Sequence, residues 1–317
     1  MKDTSYAFAV GYIRALENHL LTKATHNNLE GSLSLEDLSS KLQSVGYPIE
    51  HFDSLESLNL QLQKHFIDNC EYIMQICPSQ APFKWLWLRN DVANYKAVLK
   101  SVFFDSPWLN LISYPNSIDP NIMEKSIKSK NFDGMPVFFQ TISLGAFEIM
   151  SKTLNIKKTE NYLDQNLYKI MLKLAHKDEF LLNRTKLEIN LKNLDMAIRY
   201  LIFNQDLHHL NEVLIEGGTI DLSQIVKSAE DGLKNVAVLF EKINVKNIYD
   251  SVSKDPLYIE QLSSSIINKF DETYRSSAFG FAPIVAYIKA LKNEHTILKS
   301  IAVSLLWKNV NNKLRKG

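Results

Sequence analysis

An all-α protein is predicted by three features of the chain. Helix breakers are scarce: Gly (10) and Pro (9) make up about 6% of the 317 residues, roughly half of average usage. Apolar residues recur at three- and four-residue spacing along most of the length, and no alternating run is long enough to build a sheet. At 45% hydrophobic, the chain can bury one large core or two to three smaller ones.

Taken in order, the first helix is expected from Tyr6 to Leu21. "SLEDLSSKLQSVGYP" gives the next, with Ser34 as N-cap and Asp37 three residues on in a capping-box arrangement. Leu35, Leu38 and Leu42 form its apolar face; Gly46 ends it and Pro48 prevents its restart. Amphipathic spacing predicts further helices over 53–77, 83–104, 120–130, 136–154, 159–175, 179–206, 221–228, 256–274 and 282–306.

The pattern also repeats. "GSLSLEDL" (31–38), "NSIDPNIM" (116–123) and "GTIDLSQI" (218–225) share small-Ser/Thr-aliphatic-Ser/Asp. Each then opens a helix, with Ser34, Asp119 or Asp221 as N-cap and, in the second, Pro120 at the first helical position. A second block aligns without gaps: "DVANYKAVLK" (91–100), "NLKNLDMAIR" (190–199) and "EHTILKSIAV" (294–303). Asp91, Asn190 and Glu294 share one column; Asn94, Asn193 and Ile297 share another. "YIRALENH" (12–19) is echoed by "YIKALKNEH" (287–295). Three units of about 105 residues are expected, over 1–107, 108–212 and 213–317.

Composition excludes several function classes. A net charge of +1 argues against nucleic-acid binding, which usually brings a basic excess. The longest uncharged stretch, Gly134 to Phe147, falls short of the about 20 residues of a membrane span. The opening "MKDTSYAFAVGYIRALE" has too short an apolar run, interrupted too early by Arg14 and Glu17, for a signal peptide. Cys70 and Cys77, seven apart on one helix, share a face but cannot bridge, which fits a reducing cytoplasmic setting. The basic end, with Lys313, Arg315 and Lys316, reads as a solvated terminus, with an anionic partner as the alternative.

No catalytic motif appears: no Walker A loop, GxGxxG, GxSxG or HExxH. No catalytic, cofactor-binding or metal-ligating residue is assigned. Gly217-Gly218 reads as a turn rather than an anion site. His208 and His209 point about 100° apart on a helix and cannot easily share a metal. The acid pairs Asp178-Glu179 and Glu230-Asp231 read as solvated helix starts. Arg89, Asp91 and Asn94 could form a cleft, but the Asp91/Asn94 spacing recurs as Asn190/Asn193 and partly as Glu294/Ile297. An active site is rarely tripled in one chain. A buried polar contact joining helices within each unit explains the repetition better.

"LRNDVANYKAVLKSVF" resembles the signature of the C subunit of the A/V-type rotary ATPases, called the d subunit in the vacuolar enzyme. The likeness covers nearly the whole chain. "YAFAVGYIRALENHLL" is similar to the family's opening helix, "LEINLKNLDMAIR" to its second Asn-Leu motif, "LIEGGTID" to the following turn, and "PIVAYIKALKNEHTILKSI" to its closing segment. Ile297-Leu298 and Asp195 depart from the family's usual residues. The resemblance implies three similar helical domains in a pseudo-threefold, funnel-like arrangement. It implies a non-catalytic adaptor at the cytoplasmic face of the membrane, peripheral to it, coupling the D and F subunits of the central stalk to the proteolipid ring for proton or sodium transport. The residues alone leave two other readings: a free-standing helical-repeat scaffold that binds proteins, and an all-α enzyme built on converging carboxylates or histidines.

Overall fold

The computed structural model describes residues 4–255 and 258–314, with 308–314 as helix backbone only. Arg315, Lys316 and the side chain of Lys313 thus lie outside the described residues. Among the described residues the fold is all-α, with no strand.

In chain order the helices are α1 (Ala7–Glu17), α2 (Lys23–Glu30), α3 (Leu35–Ser44), α4 (Leu55–Ile76), α5 (Ala81–Phe104), α6 (Pro120–Ser129), α7 (Val137–Thr153) and α8 (Ile156–Ala175). They continue as α9 (Glu179–Ile202), α10 (Leu210–Val213), α11 (Leu222–Glu230), α12 (Leu233–Leu239), α13 (Tyr249–Lys254), α14 (Tyr258–Arg275) and α15 (Ala282–Leu314). The expected first helix stops at Glu17, and α2 follows from the Thr22 cap. Four of the short helices, α2, α10, α12 and α13, are not anticipated by the sequence pattern.

Helix starts follow the expected cap chemistry. Ser34, Asn155 and Asp178 each accept a bond from the amide three residues on; Asp119 and Asp221 do so two residues on. At α3 the acid of the capping box reaches one residue further out: Asp37 Oδ2 accepts from Leu33 N at 2.9 Å, while Ser34 Oγ accepts from Asp37 N at 3.1 Å. The helix ends in a Schellman turn, with Gly46 at φ 69°, Tyr47 N bonded to Leu42 O and Gly46 N to Gln43 O.

The chain divides into two compact units, one of residues 1–80 with 275–317, the other of 81–274. In the first, α15 packs on α4, α1 and α3. Leu38, Leu42, Leu58 and Leu62 meet Leu298, Ala302 and Leu305 in its core. In the second, α5 packs on α8 and α6, and α9 on α8, α11 and α12. A core there gathers Leu194, Ile198, Leu210, Ile225, Val236 and Phe240. Helices α5 and α9 are buried on several sides, so they carry polar residues inside the protein. Such groups need partners.

Candidate functional site

Asp91 and Asn94 lie one turn apart on α5 and are fully buried. Asp91 Oδ1 accepts from the amides of Ser117 (2.8 Å) and Ile118 (3.1 Å). Asn94 holds Ser113 through both backbone groups: Oδ1 accepts from Ser113 N at 2.7 Å, and Nδ2 donates to Ser113 O at 3.0 Å. The construction recurs on α9. Asn190 Oδ1 accepts from Thr219 N (2.9 Å) and Ile220 N (3.1 Å). Asn193 pairs with both backbone groups of Ile215, each at 2.8 Å. In both copies the held loop runs into an Asp-capped helix, α6 or α11; the contact thus joins a helix to a loop across the expected boundaries at 107/108 and 212/213, and not two helices within one unit. Loop amides buried without partners are costly, and these side chains supply the partners.

The third copy is a partial one. Glu294 on α15 accepts from Leu21 N at 2.5 Å through Oε2 and from Tyr47 Oη at 2.8 Å through Oε1. Leu21 immediately precedes the Thr22 cap of α2, as Ile118 precedes Asp119 and Ile220 precedes Asp221. The sequence alignment puts the matching loop at 31–38. There, however, Ser32 N bonds to Leu29 O and Leu33 N to Asp37. The true counterpart was hidden because "LLT" (20–22) shares few letters with "SID" and "TID". Ile297, in the column of Asn94 and Asn193, has no polar group to hold a loop.

The Gly217-Gly218 turn belongs to the second copy. Gly217 has φ 98°, and a Cβ at Gly218 would collide with Asn190 Oδ1. Glycine there admits the close approach on which the Asn190 contact depends.

Arg89 does not join Asp91 and Asn94. Its guanidinium lies 4.6 Å from the Trp85 ring and forms an ion pair with Glu188 on α9. Glu188 also pairs with Arg184, whose Nε donates to Asp271 Oδ1 on α14 at 2.8 Å. Arg184 in turn lies 5.3 Å from Trp85, and Trp85 Nε1 donates to Thr185 Oγ1 at 2.9 Å. This network ties α5, α9 and α14 together. Sequence reasoning missed Arg184, Glu188 and Asp271. One signal was available: Arg89 and Glu188 share a column of the repeat with opposite charge.

Burial sets the electrostatics. It pushes the Asp91 carboxyl up to about 6, against two amide bonds that favour the charged form. Asp91 Oδ2 makes no hydrogen bond among the described residues, whereas the matching Asn190 Nδ2 donates to Thr219 Oγ1 at 2.6 Å. Burial likewise raises Glu294, opposed by Leu21 N and Tyr47. Desolvation opposes the charge on Arg184, but Glu188 and Asp271 outweigh it and its pKa is raised.

His209 Nδ1 faces Glu212 at 3.2 Å on the surface. Asp178 caps α9, while Glu230 and Asp231 close α11 rather than starting a helix. Burial pushes both Cys70 and Cys77 thiols up to about 12. Among the described residues, no three His, Cys, Asp or Glu side chains gather in a set fit for a metal ion.

The pattern of the ATP synthase (C/AC39) subunit family matches residues 9–312 of the sequence. The chain belongs to this ATP synthase subunit family. Among its relatives, the C subunit of the A-type ATP synthase of Thermococcus kodakarensis is 23% identical over 94% of this chain and 85% of its own length. The protein of the same name from Desulfurococcus sp. (strain SY) is 23% identical over 97% and 88%. That of Pyrococcus horikoshii is 22% identical over 95% and 86%. In this member of the ATP synthase family, no described helix is long and apolar enough to cross a membrane.

Proposed function

We propose that the chain is the non-catalytic adaptor of an A/V-type rotary ATPase, linking the D and F subunits of the central stalk to the proteolipid ring. In this role it transmits torque, so that ATP turnover is coupled to proton or sodium movement at the cytoplasmic face of the membrane. The observation that carries the reading is the family match over nearly the whole chain. That match favours an adaptor over a free-standing scaffold.

The internal construction suits such work. A torque-bearing body must not deform, and side chains clamped onto loop backbone remove freedom that loops normally keep. With no described helix able to span a membrane, attachment to a ring is by surface contact. Each of two such interfaces needs roughly 1,000 Å² or more. On this reading 1–107, 108–212 and 213–317 act as three related domains in a pseudo-threefold arrangement. Asp91, Asn94, Asn190, Asn193 and Glu294 then fasten each domain to a loop of the next, Asp91 and Asn94 onto 113–118, Asn190 and Asn193 onto 215–220, and Glu294 onto Leu21, and Arg89 is an ion-pair partner between helices.

The test is a titration of the purified chain with a purified D–F complex, read by calorimetry and size-exclusion shift. One-to-one binding is expected. A well-folded chain that binds neither the D–F complex nor the detergent-solubilised ring overturns the assignment.

A further inference from the structure

Within the 81–274 unit, α9, α14 and the turn at 243–246 border a cavity of about 550 Å³. That volume lies in the range of small-molecule sites, roughly 300–1,000 Å³. Three lysines line it: Lys186 from α9, Lys246 from the turn and Lys269 from α14. No acidic residue is among its lining residues. Some lysines elsewhere are ion-paired, as Lys96 with Asp164 and Lys100 with Glu160. These three make no ion pair or hydrogen bond among the described residues. In a protein of net charge +1, three uncompensated cations around one cavity form a local positive field.

Part of the remaining wall is apolar. Phe270, Leu187 and Ile266 supply it, and Phe270 is held by stacking on Phe180, with centroids 5.9 Å apart and ring planes at 19°. Lysine ammonium groups serve as mobile point charges for phosphate oxygens, and an aromatic wall accepts a flat or apolar body.

We propose that this cavity binds a phosphorylated ligand with an aromatic or apolar body, its phosphates held by Lys186, Lys246 and Lys269 and its body lodged against Phe270. A soluble nucleotide and a phospholipid headgroup both present that chemistry. The proposal stands independently of the rotor reading, because it rests on the cavity alone.

The full-length chain is titrated with ADP, with inorganic pyrophosphate, and with phosphatidylcholine vesicles with and without phosphatidic acid. Saturable binding is expected to weaken at least tenfold in the Lys186→Ala/Lys269→Ala double variant. It is expected to be unchanged in Lys192→Ala, an exposed lysine elsewhere on α9. Far-UV circular dichroism and melting confirm that the variants fold. ADP binding, tighter than pyrophosphate, supports the site with a soluble ligand. Binding only to phosphatidic acid vesicles, lost in the double variant, supports it with a lipid headgroup. No saturable binding to ADP or acidic vesicles, or binding indifferent to the double substitution, overturns it.

Discussion

At residue scale, Asp91 and Asn190 do the same task with different chemistry. Each presents Oδ1 to two successive loop amides. Only Asp91 brings an ionisable group into a fully buried place, and its pKa is pushed up to about 6. The folded state therefore holds the Asp91 proton more tightly than the unfolded chain, where carboxyls titrate near 4. Stability from this group is present below about 4 and is lost as pH rises through 6. Asp91→Asn keeps the Oδ1 acceptor for both loop amides and removes the buried charge. The stability gain of Asp91→Asn over wild type should grow between about pH 4 and 6 to roughly 2–3 kcal/mol and stay flat above. Denaturant melts of both proteins across that range check it. Comparing the two proteins cancels the opposite slope of His295, held down to about 3 by burial, which costs stability as pH falls below its unfolded value. Parallel curves would show that Asp91 does not titrate there. Asp91→Ala removes the acceptor altogether and should cost about 2–4 kcal/mol.

At the scale of elements, the sequence displayed the long helices and half of the repeat's meaning. Helices α4 and α8 were legible because their apolar periodicity runs for several turns, α5, α7 and α9 because they are long, apolar-rich runs with few breakers, and α3 and α6 because their caps are strong. The short α12 and α13 lack a side-chain cap bond and last two turns or fewer, so their formation depends on packing that no local pattern displays. The Asp/Asn columns were visible, but their partners are backbone amides, which have no letter in a sequence. The Arg184–Glu188–Asp271 network joins positions far apart in the chain, so only the fold shows it. Two predictions belong here. The amides of Ser113, Ser117, Ile215 and Thr219 lie in loops yet are bound by buried side chains. Hydrogen exchange should find them protected almost as strongly as the helix cores, rather than exchanging as open loops do. Glu188→Ala leaves the guanidinium of the buried Arg184 without one of its two carboxylates and frees Arg89 as well. It should cost about 3–5 kcal/mol, whereas Lys152→Ala, which removes an exposed i,i+4 pair with Glu148, should cost under about 0.5 kcal/mol. Urea titration of the two variants separates these magnitudes.

At the scale of the whole molecule, polar fasteners matter for what the chain can transmit. An apolar core resists separation of its helices but gives little directional hold on a loop, since dispersion and burial are non-directional. Paired hydrogen bonds onto loop backbone fix position and direction together. In the proposed adaptor role, a loosened fastener should therefore damage coupling before it damages assembly. The informative comparison is an ATPase complex carrying Asn190→Ala and Asn193→Ala against one carrying Asp91→Asn. The first pair removes the four loop-backbone contacts of the second copy; the last retains the Oδ1 acceptor of the first. The double variant should assemble below its melting temperature and hydrolyse ATP, but move fewer ions per ATP than wild type. Asp91→Asn should keep the wild-type ratio. ATP hydrolysis and ion uptake are measured on the same vesicles, so the ratio is independent of how many complexes are present. An unchanged ratio in the double variant, with hydrogen exchange confirming that the loop at 215–220 has been released, would show that torque passes without these contacts. The fasteners would then serve only to hold the fold.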